Sequence, residues 1–405
     1  MSKSSIVDSV SAYIHIPFCR RRCFYCDFPI TVVGDKSNPD SPMLEEYVRF
    51  LCTEIEGIKS PNIPLQTVFF GGGTPSLLPV KFLARILTGL DKVLGIDPDA
   101  EISLEIDPGT FTLEQLQGYQ SLGVNRFSLG VQGFQDQLLA VCGRSHRLAD
   151  IEGSIDLIRQ AGVTNFSLDL ISGLPNQTLQ QWEESLQKAV AIAPSHLSCY
   201  DLVVESVTPF GKQYQPGIKP LPDDETTANM YRLAASLLTA AGYEHYEISN
   251  YARDGRQCAH NRVYWQNEPY YGFGMGAASY IEGRRLTRPR TRRQYYDWVE
   301  SGCIIDCPPS SSLDQLLETL MLGLRLKEGV NLKYLSQKFG SGVIGKILKS
   351  SERYLEKNWL QINEDKILKL TDPEGFLFSN TVLTHLFQVI EKIYPNPESQ
   401  GIQES

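Results

Sequence analysis

Three cysteines near the amino terminus form the pattern most able to carry chemistry. Cys19, Cys23 and Cys26 are spaced as Cys-x3-Cys-x2-Cys, directly after a β-branched run that predicts a strand. Three thiolates can ligate three irons of a 4Fe–4S cluster, which leaves the fourth iron open to the methionine moiety of S-adenosylmethionine. A structural zinc site would need a fourth ligand, from His15 or a remote cysteine such as Cys258. Three buried thiols are the remaining interpretation.

The composition is that of a globular protein in a reducing compartment. The chain has 405 residues, of which 42% are hydrophobic and 21% charged, and its formal net charge is −9. This acidic balance disfavours sequence-independent binding of nucleic acid. Nine unevenly spaced cysteines do not form a disulfide framework, and no apolar run is long enough to span a membrane. We therefore expect a cytoplasmic protein with no nucleic acid partner and no transmembrane segment.

The elements that must position the cysteines alternate between short β-branched runs and longer amphipathic stretches, from residue 12 to 250. Repeated strand–helix units require a parallel sheet with helices outside. Six units predict an α/β fold with an open, partial (β/α)6 barrel, whose functional residues gather at the carboxyl ends of the strands. The predicted strands are Ala12–Ile16, Thr67–Phe70, Glu101–Glu105, Arg126–Leu129, Asn165–Leu170 and His196–Val203, with helices near 43–58, 79–94, 112–122, 149–161, 178–191 and 223–241.

Glycines and polar residues stand at the ends of several predicted strands or in the loops after them. The turn at 71–76 reads Gly-Gly-Gly-Thr-Pro-Ser, and Glu105 and Asp169 end the third and fifth strands. Gln132 and Arg144 lie in the region after the fourth strand. A carboxylate can accept hydrogen bonds from ribose hydroxyls, and an arginine can clamp a carboxylate. Taken singly, each residue could equally form a salt bridge or a cap on the barrel rim.

Together these motifs resemble the radical S-adenosylmethionine superfamily, in its oxygen-independent coproporphyrinogen III oxidase subgroup. The HNxxYW motif at 260–265 and the segment 318–326 are similar to the heme chaperone HemW branch of that subgroup. The resemblance implies that Cys19, Cys23 and Cys26 hold the cluster. It also implies that S-adenosylmethionine is bound by Tyr13, Tyr25, Gly72, Gly73, Thr74, Glu105, Gln132, Arg144 and Asp169.

Two departures separate the chain from the oxidases of that subgroup. The oxidases carry a fourth cysteine two residues after the third, where this chain has Phe28, and a longer segment before the first strand. Both departures resemble the heme chaperones, which bind heme and hand it to acceptor hemoproteins such as respiratory ones. The resemblance therefore implies a heme chaperone. Oxidative decarboxylation of coproporphyrinogen III to protoporphyrinogen IX is the alternative, and whether S-adenosylmethionine is cleaved stays open.

The heme ligand is a separate question, because an axial ligand is usually His, Met, Cys or Tyr. His260 and Cys258 are the best local candidates, and Tyr264 and Trp265 could pack on a porphyrin face. The basic segment 284–293 is predicted to be a solvated loop that could meet acidic ligands. Alternatively, His260 caps the loop that closes the barrel and the aromatic residues belong to the core.

The chain is expected to divide into four parts. These are the barrel at 1–250, a connecting segment with the HNxxYW motif at 251–308, a small helical, winged-helix-like domain at 309–395, and a frayed tail at 396–405. In the third part we predict helices near 313–326, 332–338, 343–357 and 376–393, and a hairpin of Leu360–Ile362 with Ile367–Leu370. A radical enzyme acting on tRNA is a third hypothesis, disfavoured because the wing is acidic.

Overall fold

The computed structural model describes residues 10–34, 41–59, 63–304 and 307–393. The strands are β1 (Val10–Ile16), β2 (Phe18–Cys19), β3 (Thr31–Val32), β4 (Leu65–Gly72), β5 (Ile96–Ile106), β6 (Arg126–Gln132), β7 (Phe166–Ser172), β8 (His196–Asp201), β9 (Glu244–Glu247), β10 (Asn250–Ala252), β11 (Tyr270–Phe273), β12 (Ala278–Ile281), β13 (Arg284–Thr287), β14 (Val330–Asn331), β15 (Leu360–Ile362) and β16 (Ile367–Leu370).

The helices are α1 (Pro42–Glu56), α2 (Val80–Leu94), α3 (Leu113–Ser121), α4 (Asp136–Val141), α5 (Leu148–Gln160), α6 (Leu179–Ile192), α7 (Pro209–Gln213), α8 (Asp224–Ala240), α9 (Ala259–Trp265), α10 (Arg292–Glu300), α11 (Ser312–Gly323), α12 (Leu332–Phe339), α13 (Ser341–Glu356), α14 (Glu374–Leu377) and α15 (Ser379–Ile393). A 3₁₀ turn at Pro75–Leu77 precedes α2.

An eleven-stranded sheet forms the frame of the molecule, in the order β13-β12-β11-β1-β4-β5-β6-β7-β8-β10-β9. From β1 to β8 this order contains six strands that pair in parallel, each followed along the chain by a helix. In the described part of the chain the edge strands β13 and β9 do not pair with each other, so the barrel stays open. The predicted partial (β/α)6 barrel is confirmed.

The parallel strands have an apolar outer face and a polar inner face, because successive side chains of a strand point to opposite sides. In β6, Phe127, Leu129 and Val131 belong to the main apolar core, whereas Arg126 and Ser128 line a cavity. The helices cover the outer face. Helix α2 shows the pattern most clearly, with buried apolar residues at helical spacing: Phe82, Leu83, Ile86, Leu87, Leu90 and Leu94.

The segment after residue 250 is part of the sheet, which the sequence interpretation did not foresee. Strand β10 pairs with β8, and β11 adds to the other side of the sheet in parallel with β1. The basic segment that was predicted to be a solvated loop contributes β13, the start of α10 and the buried residue Arg288, which is only 3% exposed. The prediction of a loop is therefore wrong for β13 and α10, and the prediction of solvation is wrong for Arg288, which has a buried carboxylate partner in Glu54. Arg284, Arg285 and Arg290 are exposed, as predicted.

The carboxy-terminal part has its own apolar core, built from α11, α12, α13 and α15 around the small sheet β14-β16-β15. The predicted hairpin occurs with the predicted bounds, as β15 and β16. The predicted last helix is divided into α14 and α15. Arg232 of α8 bonds Glu374 of α14 at 2.6 Å, which joins this part to the barrel. The predicted frayed tail lies outside the described residues.

Candidate cluster and cosubstrate site

The cysteine loop is closed by a short parallel strand pair just after β1. Strand β2, which contains Cys19, pairs with β3 at Thr31 and Val32, so the loop returns to its starting point. Inside the loop the amide of Cys26 donates to the carbonyl of Cys23 at 3.2 Å. Arg22 donates to the carbonyl oxygens of Cys26 and Phe28. The three thiols therefore come from one short, internally bonded loop, and all three line the same cavity.

The surroundings of the sulfur atoms suit a metal cluster. Cys19 Sγ lies 3.7 Å from the hydroxyl of Thr74, and Cys23 Sγ lies 3.5 Å from Nη1 of Arg144. Burial raises the pKa of Cys19 to about 12 and also raises the pKa of Cys26. Buried thiols of this kind are deprotonated when they bind a metal, whose charge reverses the effect of burial.

A mononuclear zinc site does not fit the same residues. Among the described residues, no group of three or more His, Cys, Asp or Glu side chains is placed to hold one metal ion. In a cubane cluster each cysteine ligates a different iron, so the three sulfur atoms need not converge on one point. His15, the nearest candidate for a zinc ligand, instead bonds the carbonyl of Pro29 through Nε2 at 2.9 Å. It thereby supports the end of the cysteine loop.

The glycine-rich turn brings backbone close to the cysteine loop. The amides of Gly73 and Thr74 donate to the carbonyl oxygens of Ile16 and Phe18 at 2.8 and 2.7 Å. A Cβ at Gly73 would lie 2.7 Å from the carbonyl oxygen of Ile16, and Gly72 has φ of +109°. Side chains are excluded at both positions for these reasons. The turn therefore forms a wall of exposed backbone beside the thiols.

Arg144 occupies the centre of the polar wall opposite this turn. Its Nη2 donates to Asp107 Oδ1 at 2.6 Å and to the carbonyl of Gly130 at 3.1 Å. Asp107 also accepts a hydrogen bond from Thr74 at 3.3 Å. The sequence analysis did not select Asp107, although it follows β5 two residues after Glu105. Asp107 fixes Arg144 beside Cys23, so the guanidinium can stabilise the negative charge of a cluster.

Glu105 and Gln132 lie at the ends of the neighbouring strands β5 and β6, whereas Asp169, which was predicted to end a strand, lies in the middle of β7 because this strand continues to Ser172. Burial, with a contribution from Asp169, raises the pKa of Glu105 to about 8, and its Oε2 accepts from the amide of Gly72 at 3.0 Å. Asp169 accepts from the hydroxyl of Ser128 at 2.9 Å. Gln132 has φ of +66°, a strained value for a non-glycine residue that is typical of functional sites.

Two connected cavities run through the polar interior of the barrel. The main cavity, of about 360 Å³, is lined by the three cysteines and by every predicted cosubstrate residue except Tyr13. Tyr13 lines a smaller adjoining cavity of about 190 Å³, which we call the inner chamber. Both cavities share six lining residues: Phe28, Gly72, Glu105, Ser128, Asp169 and Tyr200. The structure therefore brings the predicted site residues together around one continuous space.

Several lining residues were missed because they lie within strands and not after them. Arg126, Ser128, Ser198 and Tyr200 all face the inner chamber. The sequence does contain a pattern that marks these residues. In Arg126-Phe-Ser128 and Ser198-Cys-Tyr200, polar side chains stand at every second position, so they share one face of a strand that was interpreted as buried. A strand buried on both faces in an apolar core would instead read as a nearly continuous apolar run.

His260 and Cys258, the suggested heme ligands, are buried where α9 closes the inner chamber. Both ring nitrogens of His260 have partners, with Nδ1 2.6 Å from the hydroxyl of Thr67 and Nε2 2.9 Å from that of Tyr264. The Cys258 thiol donates to Glu101 at 3.7 Å. An iron bond from either residue would first require these contacts to break. The alternative reading, in which His260 helps to close the barrel, agrees with this geometry.

An open barrel with three thiols and a glycine-rich turn at the carboxyl ends of its strands defines a radical S-adenosylmethionine protein. The model of the radical SAM superfamily matches residues 13–189, and that of the HemN C-terminal domain matches residues 311–378. Coproporphyrinogen III oxidase (HemN) from Escherichia coli has the same fold, with a TM-score of 0.80, 21% identity, and coverage of 95% of this chain and 91% of its own. The superfamily implies a 4Fe–4S cluster and S-adenosylmethionine.

Relatives of higher identity define the family more narrowly. Heme chaperone HemW from Synechocystis sp. is 51% identical over 97% of this chain and 100% of its own length. Heme chaperone HemW from Bacillus subtilis is 38% identical, with coverage of 92% and 97%. The chain belongs to the HemW family of radical SAM proteins. No described helix has the length and hydrophobicity needed to cross a membrane.

Proposed function

We propose that the chain is a heme chaperone that binds heme and transfers it to an acceptor hemoprotein. The observation that carries the proposal is the 51% identity to a heme chaperone that it matches from end to end. A respiratory hemoprotein is the acceptor that the family resemblance suggests, and the cytoplasm is the expected location.

In this proposal the chain also carries a 4Fe–4S cluster on Cys19, Cys23 and Cys26 and binds S-adenosylmethionine reversibly. When bound, the cluster supplies a transferable electron and an open iron for the amino acid part of S-adenosylmethionine. The residues that would hold the cosubstrate are Tyr25, Gly72, Gly73, Thr74, Glu105, Gln132, Arg144 and Asp169, with Tyr13 at the boundary of the inner chamber.

Each part of this wall has a distinct task. The amides of Gly72 and Gly73 already donate to Glu105 and Ile16, so the backbone here can offer carbonyl oxygens to the amino group of an amino acid at close range. Asp169 and Glu105 can accept hydrogen bonds from hydroxyl or amino groups. Tyr25 belongs to an apolar cluster with Phe210 and can pack against a purine ring.

Coproporphyrinogen III oxidation is the second candidate, because the oxidase structure shares the fold. Against it stands Phe28, which replaces the additional cysteine that the oxidases carry. Its side chain is 54% exposed and lines both cavities, so the replacement puts an apolar ring where the oxidases have a thiol. A thiol lost from the cavity wall disfavours turnover without affecting the three cluster ligands.

The test uses full-length protein reconstituted anaerobically with iron and sulfide, in the presence of a reductant and S-adenosylmethionine. One sample is titrated with heme and then mixed with an apo-hemoprotein, and the visible spectrum reports binding and transfer. A second sample receives coproporphyrinogen III, and chromatography detects any protoporphyrinogen IX. A triple Cys19→Ala, Cys23→Ala, Cys26→Ala variant is the matched control for the cluster.

Stoichiometric heme binding and transfer without protoporphyrinogen would support the chaperone. Protoporphyrinogen formed together with methionine and 5′-deoxyadenosine would support the oxidase instead. The triple variant should lose the broad visible absorption of the cluster and its iron. If it retained both, the assignment of Cys19, Cys23 and Cys26 would be wrong whichever function holds.

A further inference from the structure

The walls of the inner chamber change from exposed aromatic side chains to a buried charge. Phe28 and Tyr200 are 54% and 41% exposed, and they come from the cysteine loop and from the end of β8. Arg126 and His260, on the same chamber, are 2% and 1% exposed. The chamber therefore runs from an apolar mouth to a floor that carries a cation.

Arg126 is a buried arginine that forms no ion pair with a carboxylate in the part of the chain that the structure describes. Its Nε is fully buried and donates to no hydrogen-bond acceptor in the described residues, and no ion pair there involves its side chain. Arg144 and Arg288 are buried to a similar degree, but each has a carboxylate within 2.8 Å. A buried charge normally has a paired and hydrogen-bonded partner. Within the described ranges, no acceptor is therefore placed to pair with the Nε of Arg126.

The carboxyl groups near Arg126 are engaged elsewhere. Glu101 accepts hydrogen bonds from the amides of Ala259 and His260 at the start of α9. Asp169 accepts from Ser128, and Glu105 accepts from the amide of Gly72. These groups contribute to the field around the guanidinium, but they do not reach it as hydrogen-bond acceptors. A ligand that enters the chamber can supply the acceptor.

We infer that Arg126 binds the carboxylate of a porphyrin propionate, while the porphyrin ring lies at the mouth against Phe28 and Tyr200. The inference rests on the proposed heme function and names the contact for it. The chamber, at about 190 Å³, is smaller than the roughly 300–1,000 Å³ of cavities that enclose a drug-sized ligand. The chamber can admit a carboxyethyl arm but not a porphyrin ring. The exposed side chains of Phe28 and Tyr200 can bind the porphyrin ring by stacking.

This assignment makes an unusual prediction for the ligand-free protein. An arginine that serves the fold should destabilise the protein when replaced, as any buried, bonded group does. For a buried cation whose Nε has no acceptor, relief of the desolvation cost on replacement offsets the lost attraction to Glu101 and Asp169. Arg126→Gln should therefore leave the melting temperature of the ligand-free protein close to that of wild type, while it weakens binding of the ligand.

The experiment measures heme binding to reconstituted wild-type protein, Arg126→Gln and Arg126→Lys by Soret absorbance. Each protein is titrated with heme and with heme dimethyl ester, in which both propionates are blocked. We expect wild type to bind heme about tenfold or more tightly than the ester, as a hydrogen bond to a charged group requires. Arg126→Gln should bind both compounds with the affinity of the ester, and Arg126→Lys, which retains the charge, should fall between.

Equal affinity of wild type for heme and its ester would overturn the inference, and so would full heme affinity in Arg126→Gln. A lower melting temperature of ligand-free Arg126→Gln would assign Arg126 to the fold instead. The ester comparison needs only wild type, so it decides the matter even if a variant fails to fold. If wild type did not bind heme at all, the proposed function itself would be rejected. That result differs from equal binding of heme and its ester, which rejects only the role of Arg126.

Discussion

Arg288 and Arg126 are buried almost equally, at 3% and 2% exposure, but their surroundings are opposite. Arg288 bonds Glu54 at 2.8 Å, and Glu54 also accepts from the amide of Gly274 and the hydroxyl of Tyr295 at 2.8 and 2.7 Å. Arg126 has no such carboxylate in the described part of the chain. The first region is a complete network between α1, α10 and the sheet edge, and the second is an incomplete one inside the barrel.

The difference separates residues that hold the fold from residues kept for a ligand. Breaking a complete buried network leaves a charge without compensation, which is costly. In an incomplete network the arginine already lacks a hydrogen-bonded carboxylate in the ligand-free protein. Replacing that arginine should therefore weaken ligand binding and leave the free energy of unfolding unchanged. Arg144 is intermediate, because it is paired with Asp107 and yet lies beside Cys23 in the main cavity.

The largest effect is expected for Glu54→Gln, which removes the negative charge from the complete network. It should lower the free energy of unfolding by about 3–5 kcal/mol, since Arg288 would remain buried and unpaired. Urea unfolding followed by circular dichroism measures the loss. The matched control is the double variant Glu54→Gln, Arg288→Met, which should recover a substantial part of it. A double variant less stable than Glu54→Gln would show that the pair is not what stabilises this region.

A smaller loss is expected for Asp107→Asn, which tests the intermediate case. Arg144 keeps its bond to the Gly130 carbonyl but loses a charged partner, so unfolding should become easier by about 1.5–3 kcal/mol. The reconstituted variant should also hold less cluster iron, because the guanidinium beside Cys23 is no longer fixed. Asp107→Glu serves as the control that retains the charge. An unchanged free energy of unfolding would place Arg144, like Arg126, among the residues kept for a ligand.

A third test concerns Glu105, whose protonation depends on the same buried interior. Its pKa is about 8 in the folded chain against an ordinary value near 4.5, so between these values the folded state keeps a proton that the unfolded chain releases. The stability must then fall as the pH rises from 5 to 8, by up to about 1.4 kcal/mol per pH unit. Melting temperatures from pH 5 to 8 should decline less steeply in Glu105→Gln. Parallel slopes would mean that Glu105 is ionised at neutral pH.

The barrel and most of the main cavity could be predicted from the sequence, because both depend on patterns among residues close together in the chain. Strand–helix alternation fixes the six parallel units, and residues at strand ends such as Glu105 and Gln132 gather because those ends meet. The inner chamber could not be read in this way. Arg126 begins a strand, and its isolation depends on where Glu101 bonds after α9 has docked, which only the tertiary structure determines.

The basic segment was misread for a related reason. The six arginines from 284 to 293 suggest a solvated surface, but Arg288 is paired with Glu54, 234 residues earlier in the chain. The sequence around either residue contains no pattern that indicates its partner. The same limit applies to β11, which joins the sheet beside β1 after the run of strand–helix units has ended. Long-range pairing of this kind leaves no periodic signal in the sequence.

The smallest effect is expected for Glu374→Gln, which isolates burial as the cause of the contrast. Glu374 bonds Arg232 at 2.6 and 3.0 Å, as closely as Glu54 bonds Arg288, but the two side chains are 40% and 39% exposed. Water screens such a pair, so the loss should be only about 0.2–1 kcal/mol and should shrink in 1 M salt. Glu54→Gln, measured in the same salt, is the comparison. If both variants lost equal stability, geometry and not burial would set the strength of these pairs, and the unpaired state of Arg126 would no longer imply a ligand.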